Sequence, residues 1–123
     1  MKLEVGMYVR LQNDAENIVI INRIVNVFET TILTENDGSI YQGEYTKENV
    51  VKASYNIIDI LEKGDYVNGS KVIEIEKDYK FIDGTIRDIL WTDTKMQKAV
   101  WNETIKSIVT HEQMEQMAYK VVK

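Results

Sequence analysis

His111 is the only imidazole in the chain, and Glu112 follows it directly. An imidazole beside a carboxylate can move protons near neutral pH, but acid–base catalysis needs the pair held against a substrate by the fold. As the first helical residue after a Thr110 cap, His111 reads instead as a solvated surface residue. With one histidine and no cysteine, a multi-histidine metal site, a thiolate zinc site, an Fe–S cluster, a cysteine nucleophile and disulfides are all excluded. The carboxylates show no diagnostic spacing. Asp83, Asp88 and Asp93 are evenly spaced, and Glu74 and Glu76 share one face of a strand. Charges at period two mark the wet face of a half-buried strand, and aspartates at turns cap them, so neither set predicts a metal centre or a glycosidase pair. No EF-hand, Walker or dinucleotide signature is present. The expectation is a non-enzymatic chain with no catalytic residue, no metal ligand and no cofactor.

Aromatic side chains are the better binding material. Trp91 and Trp101 fall near the ends of two adjacent predicted strands, with Tyr41, Tyr45, Tyr79 and Phe81 on neighbouring hairpins. Such rings either close a small core or form a stacking platform for a base or a hot spot for a protein. Lys95 and Lys98 lie between the tryptophans, where they can hold a phosphate or simply solubilise an edge strand. In the first half, Glu29, Glu35, Asp37, Glu44 and Glu48 outnumber the nearby Lys47, which suits either a solvated acidic face or a mimic of a nucleic-acid backbone. Two candidate surfaces follow. A protein partner would meet Glu35, Asp37, Tyr41, Glu44 and Tyr45. A nucleotide would meet Trp91, Trp101, Lys95 and Lys98, at a groove between protomers or between the two halves of the chain.

These side chains are carried by 123 residues, 44% hydrophobic and 28% charged, enough for one ordinary domain or two very small ones. Fifteen lysines and arginines against twenty acidic residues give a net charge of −5, which opposes a phosphate backbone. Only Arg10, Arg23 and Arg87 are arginines, so sequence-specific nucleic-acid binding is disfavoured. The N-terminus lacks a signal-peptide apolar run, and no apolar stretch approaches the roughly 18 residues a membrane helix needs. A cytoplasmic protein without membrane contact is expected.

The positioning elements read mostly as strands. Leu3 to Leu11 alternates, and Ile18 to Val27 is almost wholly apolar and β-branched, which predicts a strand buried on both faces in places. Ile32-Leu33 and Ile40-Tyr41 flank Asp37-Gly38, a tight-hairpin signal. A turn over Lys47 to Asn49 precedes a strand over Val50 to Ala53, and Ser54 to Gly64 reads as a short connecting helix capped by Ser54 or Asn56 and ended by Gly64. Strands then restart at Tyr66-Val67, Val72 to Ile75, Tyr79 to Ile82, Thr85 to Trp91, Met96 to Trp101 and Ile105 to Val109, with turns at Asn68-Gly69 and Asp83-Gly84. Thr110 and Gln113 form a capping-box pair opening a helix to Met117, and Tyr119 to Val122 reads as a closing strand.

Gly6-Met7-Tyr8-Val9 recurs as Gly64-Asp65-Tyr66-Val67, and Glu48 to Ser54 resembles Asn102 to Ser107. Each half opens alike and ends in a Val/Ile strand around a lysine. The predicted fold is therefore mainly β: two tandem small SH3-like β-barrels, residues 1–54 and 55–123, joined by a short helix, with a further short helix near the C-terminus.

Met1 to Arg10, Val51 to Gly69, Ile105 to Glu115 and Tyr119 to Val121 together resemble a family of small phage and prophage proteins of low-GC Gram-positive bacteria such as clostridia and listeriae. Residues 12 to 50 and 70 to 104 follow no pattern of that family. The resemblance implies a setting rather than a chemistry, and it carries over no functional residue. It implies a counter-defence protein, of the kind that inhibits CRISPR nucleases or sequesters signalling nucleotides, with a host defence protein or a signalling nucleotide as partner. Self-association remains open, and so does a structural or assembly role in the phage without a small-molecule ligand.

Overall fold

Ile18 to Val27 forms one strand because its β-branched side chains suit the pleat, and its apolar run does not alternate because it serves two cores. Ile24 enters one hydrophobic cluster with Val9, Leu11 and Ile32, while Ile21 packs against the other, built on Ile58, Leu61, Val67, Val72, Leu90 and Val100. The structure, a computed structural model, describes residues 2–13, 18–36, 42–93, 99–100 and 104–115.

The fold is mainly β, with two five-stranded antiparallel sheets and a short helix over residues 111–115. The first sheet holds β1 (Tyr8–Asn13), β2 (Ile18–Val27), β3 (Thr31–Glu35), β4 (Gln42–Thr46) and β5 (Val50–Ser54), in the order β4-β3-β2-β1-β5. The second holds β6 (Tyr66–Val67), β7 (Ser70–Lys80), β8 (Ile86–Thr92), β9 (Ala99–Val100) and β10 (Ile108–Val109), in the order β10-β6-β7-β8-β9. Both are four-strand meanders whose fifth strand returns beside the first. Among the described residues the outer strands of each sheet do not pair with one another, so neither sheet closes by hydrogen bonds.

The recurring Gly-x-Tyr-Val segments make the same turn. Gly6 has φ +94° and Gly64 φ +96°. Gly6 N–H donates to the Ile24 carbonyl and Ile24 N–H to the Met7 carbonyl; Gly64 N–H donates to the Val72 carbonyl and Val72 N–H to the Asp65 carbonyl. Thus each motif is stapled to the next strand of its own sheet.

Several local expectations change. The connecting segment is one 3-10 turn over Ile57–Ile60, capped by Asn56 and ending before Leu61; Gly64 belongs to the following turn rather than to a helix end. Glu35 pairs with Gln42 at the end of the β3–β4 ladder, and the expected Asp37-Gly38 turn lies outside the described residues. Strand pieces predicted at Val72 to Ile75 and Tyr79 to Ile82 merge into a single strand, β7, which ends at Lys80 and is irregular between Glu76 and Tyr79, where Asp78 takes φ +57°. The Asn68-Gly69 turn connects β6 and β7 directly, with Val67 opposite Ser70. Thr110 and Gln113 form the reciprocal capping box, each backbone N–H reaching the other's side-chain oxygen at 3.0 and 3.1 Å. The strands predicted at Ile40-Tyr41 and Tyr119 to Val122, and the helix beyond residue 115, lie outside the described residues.

Candidate functional site

Trp91 stands half-buried on β8, where its indole N–H donates to Glu76 Oε1 at 2.8 Å and its ring meets Tyr79 edge to face. Tyr79 in turn meets Phe81 edge to face at 5.1 Å. The cluster does not belong to either core. Just beyond it, at the β7–β8 tip, Ile82 is fully exposed and Ile86 is 62% exposed. Trp101, Lys95 and Lys98 lie outside the described residues. In the other surface, Glu35 sits at the end of β3 opposite Arg23, Glu44 accepts from Thr31 Oγ1, and Tyr45 packs against the first core; Asp37 and Tyr41 lie outside the described residues. The turn aspartates cap as expected. Asp83 accepts from the Thr85 N–H and hydroxyl, and Asp93 accepts from the Lys71 N–H. Asp88 takes another role: with Asp59 it holds Lys77, and it accepts from the Asn56 amide, tying the connecting turn to the β7–β8 hairpin.

His111 is not freely solvated. It is half-buried, with Nε2 at 3.2 Å from Glu62 Oε1 and 3.1 Å from Glu112 Oε1. Behind it lies an ion pair that joins the two sheets. Arg10 of β1 is 1% exposed and makes a two-pronged contact with the fully buried Asp65, at 2.8 and 3.1 Å. Arg10 also donates to the Ile60 carbonyl and to Glu112 Oε1, while Asp65 accepts from the backbone N–H groups of Glu62 and His111. Every charge in this node is thereby compensated, as a buried pair requires. Burial works to raise the Glu62 carboxyl, but hydrogen bonds from Lys52 and His111 and the charge of Arg10 outweigh it and hold it below its ordinary value.

Glu62, His111 and Glu112 bring one ligand atom each within 4.8 Å of one another, which is metal-site spacing. Arg10 Nη2 already stands 2.8 Å from the same Glu112 oxygen and 3.6 Å from the same Glu62 oxygen, and Lys52 takes the other Glu62 oxygen at 3.0 Å. Cationic side chains fill the role a metal would have, so the cluster is a structural ion-pair node. Sequence reasoning passed over it, although one signal was present. At the position where the first motif places Met7 against its core, the second places Asp65. A charge at a core position demands a buried partner.

Between the two sheets runs a cleft of about 170 Å³. Its apolar lining is Ile21, Ile57, Ile105 and Ile108, and its polar lining includes Tyr8, Asn22, Arg23, Asn36 and Lys106. Its residues come from both halves of the chain, so no local motif announced it.

No protein-family model matches the chain, and neither does any curated protein or solved structure. Among the described residues no helix is long and apolar enough to cross a membrane.

Proposed function

We propose that the chain is a non-enzymatic, phage-encoded binding protein that acts in the host cytoplasm against a protein component of host defence. The observation that carries this reading is the β7–β8 tip, where Ile82 and Ile86 are exposed beside the rings of Tyr79, Phe81 and Trp91. Apolar side chains gathered at a hairpin end do nothing for their own fold, and aromatic anchors with exposed aliphatic neighbours are the composition of a protein-binding hot spot. The shared strand order of the two sheets supports reading each half, 1–54 and 55–123, as a small SH3-like barrel, a rigid frame on which the hairpin projects. The phage setting rests on the resemblance of the Met1 to Arg10, Val51 to Gly69 and Ile105 to Glu115 segments to prophage proteins.

The test compares the parent with an Ile82→Asp/Ile86→Asp variant in affinity capture from a host that carries active defence systems, with captured proteins identified by mass spectrometry. The expected result is a defence component retained by the parent and lost by the variant, with melting temperature unchanged because both side chains are exposed. Capture of capsid or replication proteins alone would transfer the chain to phage assembly. A parent that is dimeric where the variant is monomeric would make the tip a self-contact.

A further inference from the structure

The protein is acidic, with a net charge of −5, yet the described lining of the inter-sheet cleft carries two cations, Arg23 and Lys106, and no carboxylate. Among the described residues Arg10, Lys52, Lys63 and Lys77 each have an acidic partner, while Lys2, Lys47, Lys71 and Lys80 form no ion pair and lie outside this cleft. Arg23 and Lys106 form no ion pair among the described residues, although Glu35 lies opposite Arg23 across β2 and β3. Two cations with no ionic partner among the described residues, in one concave site of an acidic protein, create a local field that attracts anions.

The rest of the cleft is not that of a bare anion site. Four isoleucines and the Tyr8 ring give it an apolar surface, and its volume of about 170 Å³ exceeds the need of a phosphate ion. A dry cavity of about 150 Å³ accommodates one benzene ring. Asn22, Asn36 and Ser107 add donors and acceptors of the kind that read the edge of a heterocycle. The wall bearing Lys106 and Ser107 is pinned by one residue. Asn68 accepts from both their N–H groups through Oδ1, donates its side-chain amide to the Thr104 carbonyl and its N–H to the Ser107 carbonyl. The lining is thus shaped before a ligand arrives, which lowers the entropic cost of binding.

We propose that the inter-sheet cleft binds a mononucleotide, with a single-ring base against the isoleucines and Tyr8 and the phosphate at Arg23 and Lys106. The inference is independent of the hairpin tip, since the two sites share no residue. Calorimetric titration with uridine monophosphate, uridine and inorganic phosphate tests it on the full chain. The nucleotide is expected to bind at least roughly tenfold more tightly than either fragment, and Arg23→Gln and Lys106→Gln are each expected to weaken it by roughly tenfold, the loss of one charge-assisted hydrogen bond. Raising ionic strength should weaken binding in the parent, an arm that needs no variant to fold. No binding by uridine or cytidine monophosphate at millimolar concentration would overturn the proposal. Equal affinity for phosphate alone would overturn it too, as would variants that fold and bind like the parent.

Discussion

Arg10 and Asp65 illustrate how much one side chain can decide. Asp65 is fully buried and accepts four hydrogen bonds, two from Arg10 and one each from the Glu62 and His111 N–H groups. Arg10 is held charged: burial opposes that, but hydrogen bonding and attraction from Asp65, with Glu112 and Glu62 adding to them, raise its pKa further. Removing one partner strands a buried charge, so Arg10→Met should cost about 3–5 kcal/mol in urea unfolding. The two residues act as a unit. The Arg10→Met/Asp65→Asn variant should therefore lose at least about 1 kcal/mol less than the sum of the single losses. Additive losses would mean that the contact contributes nothing beyond local packing.

At the scale of elements, the two Gly-x-Tyr-Val turns hold the sheets in the same way, and they make a paired prediction. Both glycines lie in the left-handed region, where a Cβ costs roughly 1–2 kcal/mol. An alanine at Gly6 would stand 3.5 Å from the Tyr55 ring and one at Gly64 3.4 Å from His111 Cβ, both ordinary van der Waals contacts, so the backbone strain is what each substitution adds. Gly6→Ala and Gly64→Ala should therefore destabilise by similar amounts, as read by thermal melting; a loss at only one of them would deny the equivalence of the turns. The recurrence was readable from sequence because its determinants are local, a glycine followed by the same strand opening in each half, although Gly64 read as a helix end. The apolar run of β2 was readable as doubly buried for the same reason. Arg10 with Asp65, Lys77 with Asp59 and Asp88, and the cleft were not, because each is assembled from residues brought together by sheet packing. The Asp37-Gly38 turn signal lies outside the described residues, between Glu35 and Gln42 at the end of the β3–β4 ladder.

For the whole molecule, the charged nodes set the response to acid. Glu62, Asp59 and Asp88 all titrate below their ordinary values of 4.5, 3.8 and 3.8. Burial opposes this in each case, and hydrogen bonds from Lys52 and His111 to Glu62, and from Lys77 to both aspartates, prevail. A depressed carboxyl contributes stability that is complete above its unfolded pKa and lost as pH falls through its folded one. From pH 7 down to the isoelectric region near 4.9 the net charge falls toward zero, which relieves self-repulsion and takes nothing from these pairs. Melting temperature should thus hold or rise slightly over that range, then fall steeply below about pH 4 as the unfolded chain takes up protons the native nodes refuse. Lys77→Met separates this from general acid unfolding. Without the ammonium group Asp59 and Asp88 lose their shared cation and titrate higher in the native state, so the variant should be less stable at pH 7 yet lose less between pH 5 and pH 3. An acid limb of the parent's steepness would place the sensitivity outside the node that ties the connecting turn to the second sheet.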